Sequence, residues 1–486
     1  MKESLLSSLE PRRYFRWDEA LSAIPHGSYN EKAMADFVAA FGAQRGYEVY
    51  RDEMDNVLLT VPATPGYENE PLLLLQAHLD MVCVKDEGVD FDFEKEAVRL
   101  KLDGDFLRAE GTTLGADDLN GVAFMLAVCE DDSIPHPALE LLFTVQEEVG
   151  MWGMRRFDMS RIRSRRMVNL DAGYTHELCV SSAGSLSCLI EADFPLLPCE
   201  GPEGLALDFS GGIGGHSGIR IHRGRACAGN LTGELLHMLG ETMPLRLSAL
   251  RSSQNPGSIL TSCHAEFAVP AGRTEEAREL MEKSWESIRR RFTVSDPDMC
   301  CTVTPCSVKT ALRPYDSRRL IDLLYLFHTG AHKHHGEDPS IIVASSSIRP
   351  FTMEEGRLHL PYAIRSMDDS VAELLLGRSA VTARLLGFAL QVLDRYPGWP
   401  TAPHSPLRER FCRIHRELFG YDIAIENVHG GIEAGVILGA IPDMDAVGIS
   451  PTATNAHTTA EVLHIREVQP FWELLCAVLS EKEENV

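Results

Sequence analysis

Short apolar segments alternate with segments of helical periodicity in the first part of the chain. Strand-like runs occupy positions 57–61, 72–77, 139–145 and 167–170, and helical patterns occupy positions 28–45 and 121–128. Such alternation is typical of an α/β sheet with helices on both faces. The helix at 28–45 is predicted to begin with a capping box made by Ser28 and Glu31. The pattern therefore predicts an α/β fold class for this part of the chain.

The pattern changes after about residue 187. Positions 188–399 combine amphipathic strands with charged helical segments such as 274–292, which is typical of an α+β domain. A proline-rich stretch at 395–403 precedes a return to α/β character. We therefore predict one catalytic domain formed by residues 1–187 and 400–486, interrupted by an inserted domain at 188–399.

The amino-acid composition argues against some classes of binding partner. The 486 residues include 46 Lys and Arg against 71 Asp and Glu, a formal net charge of −25. This charge argues against nucleic acid or an anionic membrane as the main partner. The chain has 12 cysteines but no C-x-x-C pair, which favours free thiols in a reducing compartment. With no signal-peptide core and no apolar run of roughly 20 residues, we predict a cytoplasmic protein.

His78 and Asp80 directly follow the apolar run at 72–77. Side chains at positions i and i+2 of a strand point the same way, so both would emerge at the carboxyl end of a buried strand. Open α/β sheets bind their ligands at that edge. A nearby aspartate is suited to fix the free ring N–H of a metal-bound histidine. The alternative is a strand that simply ends in a polar turn.

Acidic residues recur at similar places farther along the chain. They are Asp117 and Asp118 before a helix, Glu147 and Glu148 after a strand, and Asp171 after another, with His457 near the end. Each could by itself be a helix cap or a solvated turn. Together they form a mixed nitrogen and oxygen ligand set that suits zinc, manganese or cobalt. Five or more ligands suggest two metal ions that share a bridging carboxylate.

These motifs, together with Gly214-Gly-His-Ser-Gly218 and His429-Gly-Gly-Ile-Glu433, resemble the di-zinc peptidase superfamily that includes carboxypeptidase G and aminoacylase. Within it, the chain is most similar to the aminoacyl-histidine dipeptidases. The resemblance implies a mixed-sheet di-zinc catalytic domain with an inserted α+β lid. It also implies hydrolysis of short unblocked peptides, Xaa-His dipeptides among them, with two divalent cations per chain, Zn²⁺ or else Mn²⁺ or Co²⁺.

The resemblance also implies which residues bind the metal ions. His78, Asp117 and Asp171 would bind one ion. Asp117, Glu148 and His457 would bind the other, so that Asp117 bridges the pair.

The catalytic and substrate-binding roles follow from the same resemblance. Glu147 would be the general base for the attacking water, and Asp80 would orient the first metal-binding histidine. His216 would stabilise the developing oxyanion, and Arg365 would bind the free carboxylate of the substrate. Three further residues are expected near the substrate without a defined role: Asn255, His429 and Glu433.

Two other functions remain open at this point. One is an amidohydrolase of the same superfamily that removes an acyl group from an amino acid. The other is a catalytically silent homologue that binds peptides; the complete ligand set argues against it. The stretch at 252–258 departs from the pattern of the aminoacyl-histidine dipeptidases, so a preference for histidine is not expected. The resemblance also suggests a homodimer; the alternative is that the long insert substitutes internally for the lid of a partner.

Overall fold

The computed structural model describes residues 5–199, 201, 203–255 and 257–482. The first part of the chain forms, in order, α1 (Arg12–Ser22), α2 (Lys32–Gln44), β1 (Glu48–Arg51), β2 (Val57–Val61), β3 (Leu73–His78), β4 (Leu100–Asp103), β5 (Phe106–Ala109), α3 (Ala116–Glu130), β6 (Leu139–Thr144), α4 (Trp152–Arg156), β7 (Arg166–Asn169) and β8 (Glu177–Ser182).

The middle of the chain forms β9 (Gly184–Asp193), β10 (Leu197–Pro198), β11 (Glu203–Ser210), α5 (Ala228–Gly240), β12 (Arg246–Ser252), β13 (Cys263–Ala268), α6 (Thr274–Arg289), β14 (Cys300–Ser307), β15 (Thr310–Ala311), α7 (Pro314–Leu326), β16 (Gly330–His334), β17 (Ile342–Ile348), β18 (Thr352–Glu354), β19 (Arg357–Ser366), α8 (Asp369–Leu385) and β20 (Gln391–Tyr396).

The last part forms α9 (Pro406–Phe419), β21 (Ala424–Val428), α10 (Glu433–Ala440), β22 (Asp445–Gly448), β23 (Ala453–Thr454), β24 (Val462–His464) and α11 (Ile465–Ser480). Short 3₁₀ turns lie at Met159–Arg161, Ile221–Arg223 and Arg290–Phe292.

The described residues divide into two compact units, each with its own apolar core. The first unit comprises residues up to 182, 399–427 and those from 432 onward, and the second comprises 183–398 and 428–431. These junctions lie near the boundaries at 187/188 and 399/400 expected from the sequence. That the second unit acts as a lid stays a prediction.

The central sheet of the first unit has the strand order β1-β2-β6-β3-β7-β22-β8-β21. The strands β6, β3, β7 and β22 run parallel, and the neighbouring pairs β1–β2 and β2–β6 are antiparallel. Every residue of β3 and β6 is buried, so both faces of these strands are covered. This explains their continuous apolar runs. The predicted α/β class with a mixed sheet is confirmed, and the carboxyl ends of β6, β3 and β7 meet at one edge.

The second unit is built around a larger sheet with the order β14-β11-β13-β12-β18-β19-β17-β16, with β9 beside β19 and β20 beside β9. Neighbouring strands in it pair antiparallel. In the pairing of β17 with β19, Ser345 lies opposite Arg365 and Ile348 lies opposite Tyr362. Helices and antiparallel strands together give this unit the α+β character expected from the sequence.

The capping box predicted for α2 is wrong. The helix begins after Glu31, which makes no side-chain cap. The Ser28 hydroxyl donates instead to Asp80 Oδ2 at 2.7 Å, and Glu31 Oε1 accepts from the backbone N–H of Gln146 at 3.1 Å. Contacts with distant parts of the chain therefore replace the local cap. In the part of the chain that the structure describes, no helix has the length and apolar character needed to cross a bilayer.

Candidate metal centre

Three adjacent parallel strands deliver acidic and imidazole side chains to one edge of the sheet. His78 is the last residue of β3, Glu147 and Glu148 follow β6, and Asp171 follows β7. The His78 side chain is fully buried, and its Nε2 lies 3.5 Å from Asp171 Oδ1. The structure therefore brings these four predicted site residues together.

Asp117 stands between the two histidines. Its Oδ1 lies 3.0 Å from His78 Nε2, and its Oδ2 lies 3.3 Å from His457 Nε2. The same nitrogen of His457 lies 2.9 Å from Glu148 Oε2. Each oxygen of one carboxylate thus faces a different imidazole, which is the arrangement expected of a bridging ligand.

Candidate ligand atoms fall into three groups whose members lie within 4.8 Å of one another: His78, Asp118 and Asp171; His78, Glu147 and Glu148; and Asp117, Glu148 and His457. The last is a set predicted from the sequence. The first contains Asp118 where Asp117 was predicted. Asp118 nevertheless uses both oxygens on backbone N–H groups, those of His78 at 3.1 Å and Gly121 at 3.2 Å. Its contacts are those of a residue that holds β3 against α3.

Asp80 contacts His78 in two ways. His78 Nδ1 lies 3.0 Å from the backbone oxygen of Asp80 and 3.5 Å from its Oδ1. The Asp80 carboxylate also accepts the backbone N–H groups of Glu147 at 3.0 Å and Glu148 at 3.3 Å. Asp80 therefore ties the predicted base and a predicted ligand to the histidine, which goes beyond the orienting role expected from the sequence.

Glu461 is a residue that sequence reasoning missed. It is 3% exposed, and its carboxylate accepts the backbone N–H groups of Leu114 at 2.8 Å, Gly115 at 3.0 Å and Asp117 at 3.3 Å. Glu461 thereby fixes the loop that carries the bridging Asp117. The only signal in the sequence was its place four residues after His457, which assigns no role.

Position 115 in this loop requires a glycine. Its φ of +77° lies in the left-handed region, and a Cβ there would approach the Met81 sulfur to 2.9 Å and His26 Nε2 to 3.1 Å. The loop before Asp117 is therefore shaped by both its backbone conformation and its close neighbours.

The centre carries an excess of buried negative charge. Burial, together with the charge of Asp117, raises the pKa of Asp171 to about 7. Burial and the charge of Asp171 raise the pKa of Glu147 well above its usual value. The carboxylates of Asp117 and Glu148 in turn raise the pKa of His457 to about 11. Even with His457 protonated, the carboxylates of the centre outnumber its imidazoles, and the raised pKa values of Asp171 and Glu147 reflect this excess.

The donor set fits divalent cations. Two imidazoles and several carboxylates converge, and Glu148 Oε1 is buried without a hydrogen-bond partner among the described residues. A buried, unpaired carboxylate oxygen costs free energy unless a cation or donor meets it. Bound cations would supply that partner and relieve the repulsion among the acids.

The second unit positions His216 and Arg365. His216 Nδ1 accepts the backbone N–H groups of Gly218 at 3.2 Å and Ile219 at 3.0 Å. Because Nδ1 accepts, the neutral ring carries its proton on Nε2. Arg365 lies on β19, and its Nη1 donates to the Tyr396 hydroxyl at 3.5 Å.

The three residues predicted without a role differ in their surroundings. Asn255 is exposed. His429 is 8% exposed, and its Nε2 lies 2.7 Å from Ser345 Oγ. Glu433 is fully buried in the first unit, where its Oε2 accepts from Gln76 Nε2 and Thr144 Oγ1, both at 2.6 Å. Glu433 thus contacts β3 and β6, and these contacts support a structural role; its predicted contact with substrate is untested.

A comparison with family models assigns the chain to a known family. The model of peptidase family M20/M25/M40 matches residues 74–481. The chain belongs to this family. The matched region runs from β3 into α11 and contains every predicted metal ligand.

Relatives in the M20/M25/M40 family match over nearly the full length. The chain is 30% identical to the cytosol non-specific dipeptidase of Escherichia coli K12 over 481 residues, 98% of this chain and 99% of that one. The chain is 29% identical in sequence to aminoacylhistidine dipeptidase from Vibrio alginolyticus, whose structure matches with a TM-score of 0.91. The match covers 100% of this chain and 99% of that one. Human carnosine dipeptidase 1 shares the fold, with a TM-score of 0.52 and 14% sequence identity. The match covers 96% of this chain and 95% of that one.

The assignment to this peptidase superfamily made from the sequence is therefore confirmed, and the protein is a hydrolase of peptide bonds. The individual roles of the site residues stay predictions. Their contacts are the basis of the proposals that follow.

Proposed function

We propose that the protein is a metal-dependent dipeptidase that hydrolyses unblocked dipeptides with the aid of two divalent cations. One observation carries the proposal: the two oxygens of Asp117 face two different imidazoles, His78 Nε2 at 3.0 Å and His457 Nε2 at 3.3 Å. A carboxylate shared in this way supports a two-cation site.

The relatives support dipeptides as the substrate class. The Escherichia coli relative is named a non-specific dipeptidase, and the Vibrio alginolyticus relative an aminoacylhistidine dipeptidase. We accordingly propose dipeptides of several compositions, Xaa-His among them, as substrates. The name of the first relative and the free state of all 12 cysteines favour a cytoplasmic location.

The proposed ligands follow the observed contacts. His78, Asp117 and Asp171 would hold one cation, and Asp117, Glu148 and His457 the other. We propose Zn²⁺, with Mn²⁺ and Co²⁺ as alternatives that accept the same donor set. When bound, such cations lower the pKa of water and polarise a carbonyl group.

The chain's own residues would handle the proton and the substrate. Glu147, whose backbone is held by Asp80, would accept a proton from the attacking water and deliver it to the leaving amine. His216, with its proton on Nε2, would donate to the developing oxyanion. The Arg365 guanidinium would bind the free carboxylate of the substrate.

The test compares dipeptides with acylated amino acids before and after metal removal. Purified protein is stripped with a chelator, restored with Zn²⁺, Mn²⁺ or Co²⁺, and assayed on Ala-Leu, Ala-His and N-acetyl-leucine, with metal content measured in parallel. We expect no turnover by the stripped protein, and turnover of the two dipeptides at about two cations per chain. Turnover of N-acetyl-leucine alone would favour the amidohydrolase, and full activity after stripping would overturn the metal site.

A further inference from the structure

Two arginines of the second unit lie on the same face of its sheet. Arg349 directly follows β17, and its backbone N–H donates to the Pro361 oxygen at 3.0 Å. Arg365 lies four positions beyond Pro361 on β19. Alternate residues of a strand share a face, so Arg349 and Arg365 project from the same face. Four positions correspond to a Cα separation of roughly 13 Å along the strands.

Within the described part of the chain, neither guanidinium is paired with an acid. Among the described residues, Tyr396 is the side chain that accepts a hydrogen bond from Arg365, and Arg365 Nε is buried without a partner. Burial, reinforced by the positive charge of Arg365, lowers the pKa of Arg349 to about 10. The chain has 71 acidic residues against 46 basic ones, so it is unusual that two neighbouring arginines have no carboxylate partner among the described residues.

Two glycines leave the space that Arg365 and Tyr396 occupy. A Cβ on Gly218 would lie 3.1 Å from Arg365 Nε and 2.4 Å from the backbone oxygen of His429. A Cβ on Gly431 would lie 2.6 Å from the Tyr396 hydroxyl. Glycine at these two positions therefore makes room for Arg365 and for the tyrosine that it contacts.

Arg349 lies beside the segment expected to contact substrate. Its Nη1 is 3.8 Å from the position that a Cβ of Gly257 would take, and His216 Cδ2 is 4.0 Å from the same point. Arg349 is thus near both Gly257, two positions after Asn255, and the histidine proposed to stabilise the oxyanion. Its guanidinium thus adds a cation beside two of the residues proposed to contact substrate, His216 and Arg365.

We propose that Arg349 binds a second carboxylate of the substrate and so favours dipeptides with aspartate or glutamate at the carboxyl terminus. This proposal rests on the proposed dipeptidase function, with Arg365 on the α-carboxylate. Two guanidiniums anchored four strand positions apart suit two separate anionic groups better than the two oxygens of one carboxylate. A substrate residue with two carboxylates would neutralise both arginines, whereas an uncharged side chain would leave Arg349 unpaired.

The experiment measures selectivity with a matched pair of substrates. Ala-Asp and Ala-Asn have nearly the same shape but differ by one negative charge. We compare kcat/KM for both in the wild-type protein, in R349Q, and in R349K, which keeps the charge. R278Q is the control, because Arg278 pairs with Glu275 and Glu282 on the exposed face of α6. Thermal unfolding of each variant checks that it folds.

We expect the ratio of kcat/KM for Ala-Asp to that for Ala-Asn to fall about tenfold or more in R349Q. R349K should retain part of the wild-type ratio, and R278Q should retain all of it. An unchanged ratio in R349Q, or an equal loss on both substrates, would overturn the role of Arg349 in selecting the second carboxylate. Turnover of either dipeptide by the wild-type protein reports separately on the proposed function, and absence of turnover of both Ala-Asp and Ala-Asn would overturn the dipeptidase proposal together with this one.

Discussion

The candidate metal centre of the first unit and the arginine pair of the second carry uncompensated charge of opposite sign. In the metal centre, burial and neighbouring carboxylates raise the pKa values of Glu147 and Asp171. In the arginine pair, burial and a neighbouring cation lower the pKa of Arg349. Each group of like charges is destabilising without a ligand of the other sign. The contrast agrees with the two proposals made for these units, in which the first binds cations and the second binds the anionic part of a substrate.

The largest effect is expected at the metal centre, where the neighbours Glu147 and Glu148 should have separate roles. E147Q keeps the size of the side chain but removes the proton acceptor. We expect kcat to fall about 10³-fold while the protein still binds about two cations, because general-base catalysis contributes roughly 10²–10⁴-fold. The measurements are steady-state kinetics on Ala-Leu and metal content by elemental analysis.

E148Q is the matched variant for this prediction. Glu148 Oε2 contacts His457 Nε2 at 2.9 Å, so its loss should weaken metal binding as well as turnover. Equal metal loss in both variants would mean that Glu147 is a ligand and not the base. Near-normal turnover by E147Q would remove Glu147 from proton transfer altogether.

The metal centre was the easier of the two regions to predict from the sequence. Its strands are buried apolar runs that end in acids or histidine, so His78, Glu148 and Asp171 each stand next to a recognisable element. The order of strands then brings these ends together, and parallel strands place them at one edge. A local pattern combined with a general rule of sheet topology predicted that these residues come together, whereas their roles as ligands were inferred from the family resemblance and stay predictions.

The supporting contacts could not be predicted because they join residues that are far apart in sequence. Glu461 holds a loop 347 positions away, and Ser28 donates to Asp80 and does not cap its own helix. Arg349 is not part of any sequence motif. The proposal that it binds substrate rests on the absence of an acidic partner among its described neighbours. No local pattern encodes such an absence, since it depends on every segment that folds against the residue.

An intermediate effect is expected for Glu461, which supports the metal centre without belonging to the predicted ligands. In E461Q, the amide nitrogen would face backbone N–H groups that now donate to a carboxylate oxygen. The loop carrying Asp117 should loosen, and metal affinity should fall about 10- to 100-fold, as for other residues that orient ligands. Metal titration by calorimetry measures this without relying on activity.

Glu140 provides a matched control for Glu461. Its buried carboxylate also accepts backbone N–H groups, those of Arg163 and Ser164, but it lies near the start of β6, away from the carboxyl end of the strand. E140Q should lower thermal stability and leave metal affinity unchanged. A similar loss of metal affinity in both variants would show that general destabilisation, and not the Asp117 loop, explains the effect.

The smallest effect is expected on the cationic side of the comparison, at His429. Burial, followed by the positive charge of Arg365, lowers the pKa of His429 to about 3, and His216 and His222 contribute further positive charge. A histidine in the unfolded chain has a pKa of about 6.5. Between these values the unfolded chain binds a proton that the folded chain does not, so the free energy of unfolding should fall as the pH drops from 6.5 towards 3. At pH 5, protonation of this residue in the unfolded chain lowers the free energy of unfolding by up to about 2 kcal/mol.

The substitution H429Q should remove that part of the pH dependence of stability. Urea unfolding at pH 7 and pH 5 measures this difference. An equal pH dependence in H429Q and wild type would show that burial and the cationic neighbours do not hold His429 neutral.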